Sequence, residues 1–144
     1  MMVIADTSGI IAASDRKAPE GTACQGVLRE AGTVIVSPLV PAEVDHLAKA
    51  RFGSAARSAI IGFLLDQVRR ARFLVPETTA EILDPAQSAQ RRYTDLDLDL
   101  ADAVNIVLAA EYGTDAVLTL DRRDFRAVRP LTPHKAFRLL PDGL

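Results

Sequence analysis

The sequence predicts an α/β fold: a mostly parallel sheet of four or five strands, flanked by helices on both faces. Short, largely apolar runs, MVIA at 2–5, TVIVS at 33–37 and DAVLTL at 115–120, have the length and near-continuous hydrophobicity of strands buried on both sides. Between them lie stretches with helical periodicity. Helices between successive strands make those strands parallel.

In chain order, the first strand, 2–5, ends at Asp6-Thr7-Ser8-Gly9 and is followed by the apolar run IIAA. A carboxylate at the C-terminal end of a first parallel strand sits where open α/β sheets place their ligands. An N-cap for the next helix explains Asp6 or Thr7 equally well. Residues 14–22, polar and containing Pro19 and Gly21, form a loop, and a helix over 22–31 stops near Gly32. The second strand, 33–37, is broken by Pro38 and Pro41. In the following helix, AEVDHLAKARF, residues Val44, Leu47, Ala48 and Phe52 share a face. Glu43 falls in its first turn, where an acid suits the helix dipole in any case. His46 reads as an ordinary helix residue, with no second His to make a metal pair.

SAARSAIIGFLLDQVRR, 54–70, is a longer helix whose Ile60, Ile61, Phe63, Leu64, Leu65 and Val68 cover more than one stripe. That surplus predicts an interface with a second copy or another partner. ARFLVPE, 71–77, is the third strand, and the helix within 78–92 is interrupted or ends around Asp84-Pro85. A further helix starts at Leu100 or Ala101, buries Ala103, Ile106, Val107 and Ala110, and stops at Gly113. Asp99 and Asp102 stand three apart at its start, and capping needs only one of them. DAVLTL is the fourth strand, with Asp121 as its last residue or the next. RAVRPL, 126–131, is the candidate for a fifth, edge strand, and the tail TPHKAFRLLPDGL has no assigned element.

The 144 residues read as one domain, 1–144, with enough length for a real core. Half the residues are hydrophobic (49 %) and a quarter charged (25 %), which is globular rather than disordered composition. No run approaches the ~18 apolar residues of a membrane span. The start, MMVIADTSG, lacks a basic leader and carries Asp6, so it does not read as a signal peptide. Cys24 is the sole cysteine, which excludes an intrachain disulfide and a four-cysteine zinc site and fits a cytoplasmic location. A net charge of −2 excludes a strongly basic protein that coats nucleic acid. Yet 14 of the 17 cations are Arg, and Arg grips phosphate through a planar fork. Solvated helix faces explain any one Arg cluster as well.

Four acids have related positions in this scheme. Asp6 ends strand one, Asp121 ends strand four, Glu43 opens the helix after strand two and Asp102 opens the helix before strand four. Right-handed crossovers bring strand C-terminal ends to one edge, so these side chains can share a crevice if the helix of Asp102 starts beside it. Several carboxylates in one place raise one another's pKa unless a cation neutralises them. Oxygen ligands without Cys or clustered His select a hard ion, Mg²⁺ or Mn²⁺, and such ions commonly meet substrate phosphate.

With VIADTSG at 3–9, PAEVDHL at 41–47, LDLADAVNIVLAAEYG at 98–113 and VLTLDRRDF at 117–125, the chain resembles the PIN-domain ribonucleases, in particular the VapC toxins of bacterial and archaeal toxin–antitoxin pairs. The resemblance spans nearly the whole chain. It implies a single PIN-like domain and an endoribonuclease that cleaves RNA phosphodiesters with Mg²⁺, for which Mn²⁺ substitutes. Asp6, Glu43, Asp102 and Asp121 correspond to the family's acidic quartet, with Asp6, Asp102 and Asp121 as the metal ligands. Thr7 or Ser8 would support the first carboxylate or a water, Asp99 and Asp124 are accessory acids, and Arg122 and Arg123 are candidates to hold RNA phosphates. The resemblance also implies a VapB-like antitoxin partner, to which the helix at 54–70 adds a homodimer. A phosphotransfer receiver would need an acidic pair after strand one and a well-placed late Lys. A haloacid-dehalogenase-type phosphatase would need an acid where Ser8 stands. The non-enzymatic alternative is an inactive PIN-like module that binds RNA or protein, against which the presence of all four acids argues.

Overall fold

The computed structural model describes residues 1–142 of the chain. Its elements are β1 (Met2–Ala5), α1 (Thr7–Ser14), α2 (Gly21–Glu30), β2 (Thr33–Ile35), α3 (Leu39–Phe52), α4 (Ser54–Arg69), β3 (Phe73–Leu74), α5 (Ala80–Arg92), α6 (Leu100–Glu111), β4 (Ala116–Leu118), α7 (Arg122–Ala127) and β5 (Arg138–Leu140), with a single 3₁₀ turn at Thr94–Leu96. The strands pair in parallel in the order β3-β2-β1-β4-β5. The α/β class and the parallel sheet covered on both faces agree with the sequence reading.

The period of two along each strand divides the interior into two cores. Val3 and Ala5, Val34, Ala116 and Leu118, and Leu140 face one side, where α1, α2, α3 and α4 cover them. Ile4, Ile35, Val117 and Leu139 face the other, beneath α5, α6 and α7. Helix α6 is buried continuously from Ala101 to Ala109, well beyond the face that periodicity picks out. It packs between β1 and α5, so it has no solvent side to mark as polar. Gly113, at φ +63°, ends it with the expected left-handed turn, while the Thr114 N–H donates to the Ala109 carbonyl at 2.9 Å.

Three expectations are corrected. The fifth strand is β5, drawn from the tail, and 126–131 contributes no strand. Residues 122–127 are helical instead, because Phe125 and Val128, three apart, anchor that turn in the second core, at 1 % and 3 % exposure. Pro85 does not end its helix: α5 continues to Arg92, because Ile82 and Ala86 pack it into the second core on both sides of the proline and Ala89 is buried further along. Against that packing, Pro85 removes one backbone hydrogen bond. Glu43 lies outside the first turn, because α3 begins at Leu39 and includes Pro41. A proline in a first turn lacks only an N–H that has no intrahelical partner.

Candidate active site

The strand order runs outward from β1 through β2 to β3, then returns to the other side of β1 with β4. At such a reversal the loops leave in opposite directions and open a crevice at the carboxyl ends of the two central strands. Asp6 is the first residue after β1, and Thr119 and Asp121 follow β4. Helix α6 packs on β1, which satisfies the condition set for Asp102. Asp6, Glu43, Asp99, Asp102 and Asp121 all line one cleft of about 410 Å³, together with Thr7, Ser8 and Arg51. A larger groove of about 630 Å³, between α1, α2 and α4, has an apolar floor of Ile10, Leu28, Phe63 and Phe73 and no acid. The acids gather in the smaller cleft.

Asp6 occupies the N-cap position of α1 but makes no capping bond, so its carboxylate is left for the cleft. Asp6 Oδ2 accepts from Thr119 Oγ1 at 2.9 Å and Ser8 Oγ at 3.3 Å, and Oδ1 accepts from Asn105 Nδ2 at 3.4 Å. Thr119 and Ser8 are also tied to the loop after β4. The Asp121 N–H donates to Thr119 Oγ1 and the Leu120 N–H to Ser8 Oγ, both at 2.9 Å. Two hydroxyls therefore lock the ends of β1 and β4 together. Thr7 Oγ1 holds Glu43 Oε1 at 3.2 Å. Asp99 caps α6, accepting the Asp102 N–H at 2.8 Å, which leaves the side chain of Asp102 free of that duty.

All four acids of the quartet are raised from their ordinary carboxylate values. Burial, then the charges of Asp6, Asp99, Asp121 and Asp124, push Asp102 up to about 8. Burial raises Asp6, while its bonds from Thr119, Thr7 and Ser8 draw it back. Burial raises Glu43 and the Thr7 hydroxyl opposes it. Asp121 is raised by burial and by Asp124 and Asp99, and lowered by Arg123. Mutual repulsion of this kind is relieved by a cation.

The donors fit a hard divalent ion. Asp102, Asp121 and Asp124 each offer a carboxylate oxygen within 4.8 Å of the others. Asp124 Oδ1 is buried without a hydrogen-bond partner among the described residues. Neither Cys nor His lines the cleft. Such an oxygen set could hold Mg²⁺ or Mn²⁺ and suits zinc poorly.

The sequence reading passed over three residues here. Thr119 could have been found as a polar residue closing an apolar strand two positions before Asp121. Arg51 could have been found from spacing: Glu43, Leu47 and Arg51 are four apart, share a face of α3 and line the cleft together. Asn105, wholly buried, gave only the weak signal of an amide inside an apolar helix. Of the two candidate phosphate holders, Arg123 is exposed beside Asp121. Arg122 is engaged elsewhere, with Nε 2.7 Å from Asp142 Oδ2.

A family model described as the PIN domain matches residues 3–130. Ribonuclease VapC26 of Mycobacterium tuberculosis is 35 % identical over 130 residues, covering 90 % of this chain and 93 % of that protein. Two solved structures share the fold. The VapC20 toxin of M. tuberculosis, described as cleaving the sarcin-ricin loop, superposes with a TM-score of 0.70 at 19 % identity, over 83 % of this chain and 89 % of that one. VapBC2 of Rickettsia felis, solved with a DNA fragment from its promoter, gives 0.66 at 12 % identity, over 92 % and 96 %. With the acid-lined crevice where four sequence motifs converge, these matches establish that the chain belongs to the PIN-domain family, among its VapC ribonucleases.

Proposed function

We propose that the chain is a Mg²⁺-dependent endoribonuclease, the toxin of a VapBC-type pair, with Asp6, Glu43, Asp102 and Asp121 as its catalytic acids. The observation that carries the reading is the convergence of all four on the crevice between β1 and β4, where burial and mutual repulsion raise every one of them and a bound cation would relieve the repulsion. Asp6, Asp102 and Asp121 would hold the ion, with Asp124 as the accessory ligand that the cluster favours. Bound there, the ion supplies Lewis-acid charge that polarises the scissile phosphate and lowers the pKa of an attacking water.

The chain's own residues set the geometry. Thr119 and Ser8 hold Asp6 at a fixed angle. Thr7 aims Glu43 at the cleft, where it can orient a water for in-line attack. Arg51 and Arg123 hold the flanking phosphates, while Arg122 secures α7 to the tail. A toxin that acts on the cell's own RNA supports a cytoplasmic location. No helix among the described residues is long and apolar enough to cross a membrane.

Cleavage of a structured RNA by the purified protein tests this. Mg²⁺ or Mn²⁺ supports cutting, EDTA stops it, and Asp6→Asn lowers the rate on the order of 10²- to 10³-fold while the protein stays folded. Cutting that persists in EDTA, or in a folded, nuclease-free Asp6→Asn preparation, would refute the assignment. A wild type that binds RNA but never cuts it would instead favour the inactive-module alternative.

The partners follow from the same reading: an RNA substrate, a VapB-like antitoxin and a second copy of the chain. Supporting the homodimer through 54–70, α4 leaves Phe63, Leu65 and Val68 at 43 %, 47 % and 39 % exposure. Leu65 and Val68 line an almost wholly apolar groove with Pro41 and Val75. Light scattering at micromolar concentration should give a dimer for the wild type and a monomer for Leu65→Asp. A monomeric wild type ends this proposal.

A further inference from the structure

Asn105 stands outside the acidic quartet, yet it is 0 % exposed on a helix otherwise buried through Ala, Val, Ile and Leu apart from Asp102. A leucine of nearly the same shape would fill that place without polar atoms to satisfy. Asn105 instead donates through Nδ2 to Asp6 Oδ1, while its own Oδ1 is buried with no hydrogen-bond partner among the described residues. The orientation follows from the partner: as a metal ligand Asp6 is ionised and only accepts, so the NH₂ group must face it. The second oxygen of Asp6 is already held by Thr119 and Ser8. Asn105 is therefore the side chain through which α6, which carries Asp102 one turn earlier, grips the carboxylate at the end of β1. An amide does this without adding a further negative charge, and it still offers a neutral oxygen to a donor inside the enclosure.

We propose that Asn105 is a positioning residue of this site, its amide fixing the Asp6 carboxylate that would hold the divalent ion. The proposal rests on the nuclease reading above. It acts through Asp6, so it concerns ion affinity and turnover more than RNA capture.

The test compares Asn105→Leu with Asn105→Ala. Leucine keeps the volume and excludes water, whereas alanine opens space in which a water can restore the hydrogen bonds. Asn105→Leu is expected to lower kcat and to weaken Mn²⁺ binding, titrated by electron paramagnetic resonance without RNA, each by about 10- to 100-fold. KM for RNA stays within about twofold of wild type, and Asn105→Ala is the milder variant. A packing role predicts the opposite order, since alanine leaves a cavity and leucine does not. Wild-type Mn²⁺ affinity and kcat in Asn105→Leu, or a worse defect in Asn105→Ala, overturns the proposal. If the leucine variant fails to fold, Asn105→Val provides the same dry contrast to alanine. The Mn²⁺ titration involves no RNA, so a wild type that binds Mn²⁺ without cutting RNA defeats the nuclease reading and still leaves Asn105 to be decided.

Discussion

Asp102→Asn is expected to abolish RNA cleavage and cellular toxicity, and at the same time to stabilise the metal-free protein at alkaline pH. Both effects come from one environment. Burial and four neighbouring acids hold the Asp102 pKa at about 8 in the folded chain, against an ordinary value of about 3.9 once unfolded. Between those two values the folded state binds more protons than the unfolded state, so stability falls as pH rises through the window. The contribution is fully present below pH ~4 and lost by about pH 8. Asparagine keeps the shape and removes the charge. In EDTA at pH 8 the variant should unfold later than wild type by on the order of 2 kcal/mol, or about 4–8 °C in Tm. Below pH ~4 the two curves should meet. Added Mg²⁺ reverses the order, because an ion bound only to the folded state stabilises it by mass action, and the variant has lost a ligand. Calorimetry across pH, with and without Mg²⁺, measures all of this. Parallel pH profiles for the two proteins would show that Asp102 is not held in the repulsive cluster.

Gly9→Ala is expected to cost about 2–3 kcal/mol of stability and most of the activity, without touching an acid. A Cβ at Gly9 would meet Leu118 Cγ at 2.6 Å and the Leu118 carbonyl oxygen at 2.8 Å. Neither contact is tolerable, and the second involves backbone, so α1 must lift away from β4. That carbonyl also accepts the Asp6 N–H at 3.0 Å. The displacement therefore passes directly to Asp6 and to its bonds with Thr119 and Ser8. Urea denaturation, with RNA cleavage assayed well below the midpoint, reads both losses. A variant with wild-type stability and rate would mean that α1 can move without disturbing the site.

Much of this was legible before any coordinates. The strands announce themselves because burial on both faces demands unbroken apolar runs, and Gly113 and Asp99 mark the ends of α6 by local chemistry. The misread elements share a cause. Pro85 and Pro41 carry strong local signals, yet one is overruled by packing on α5 and the other lies where its missing N–H has no intrahelical use. Arg138–Leu140 is too short to show a period, and its pairing with β4 comes from a strand some twenty residues away in sequence. Within the site, the acids were readable because carboxylates at strand ends and helix starts are conspicuous. Thr119, Arg51 and Asn105 were not, because an ordinary polar residue acquires a role only from what it faces.

Local pattern thus established where the chain turns, which faces are apolar and which acids stand at the ends of elements, since these depend on neighbours within a few residues. It could not establish that β4 returns beside β1, that Asp124 turns toward Asp102 and Asp121, or that two hydroxyls and an amide hold Asp6. Those depend on long-range pairing and close packing, in which groups a hundred residues apart meet within hydrogen-bonding distance.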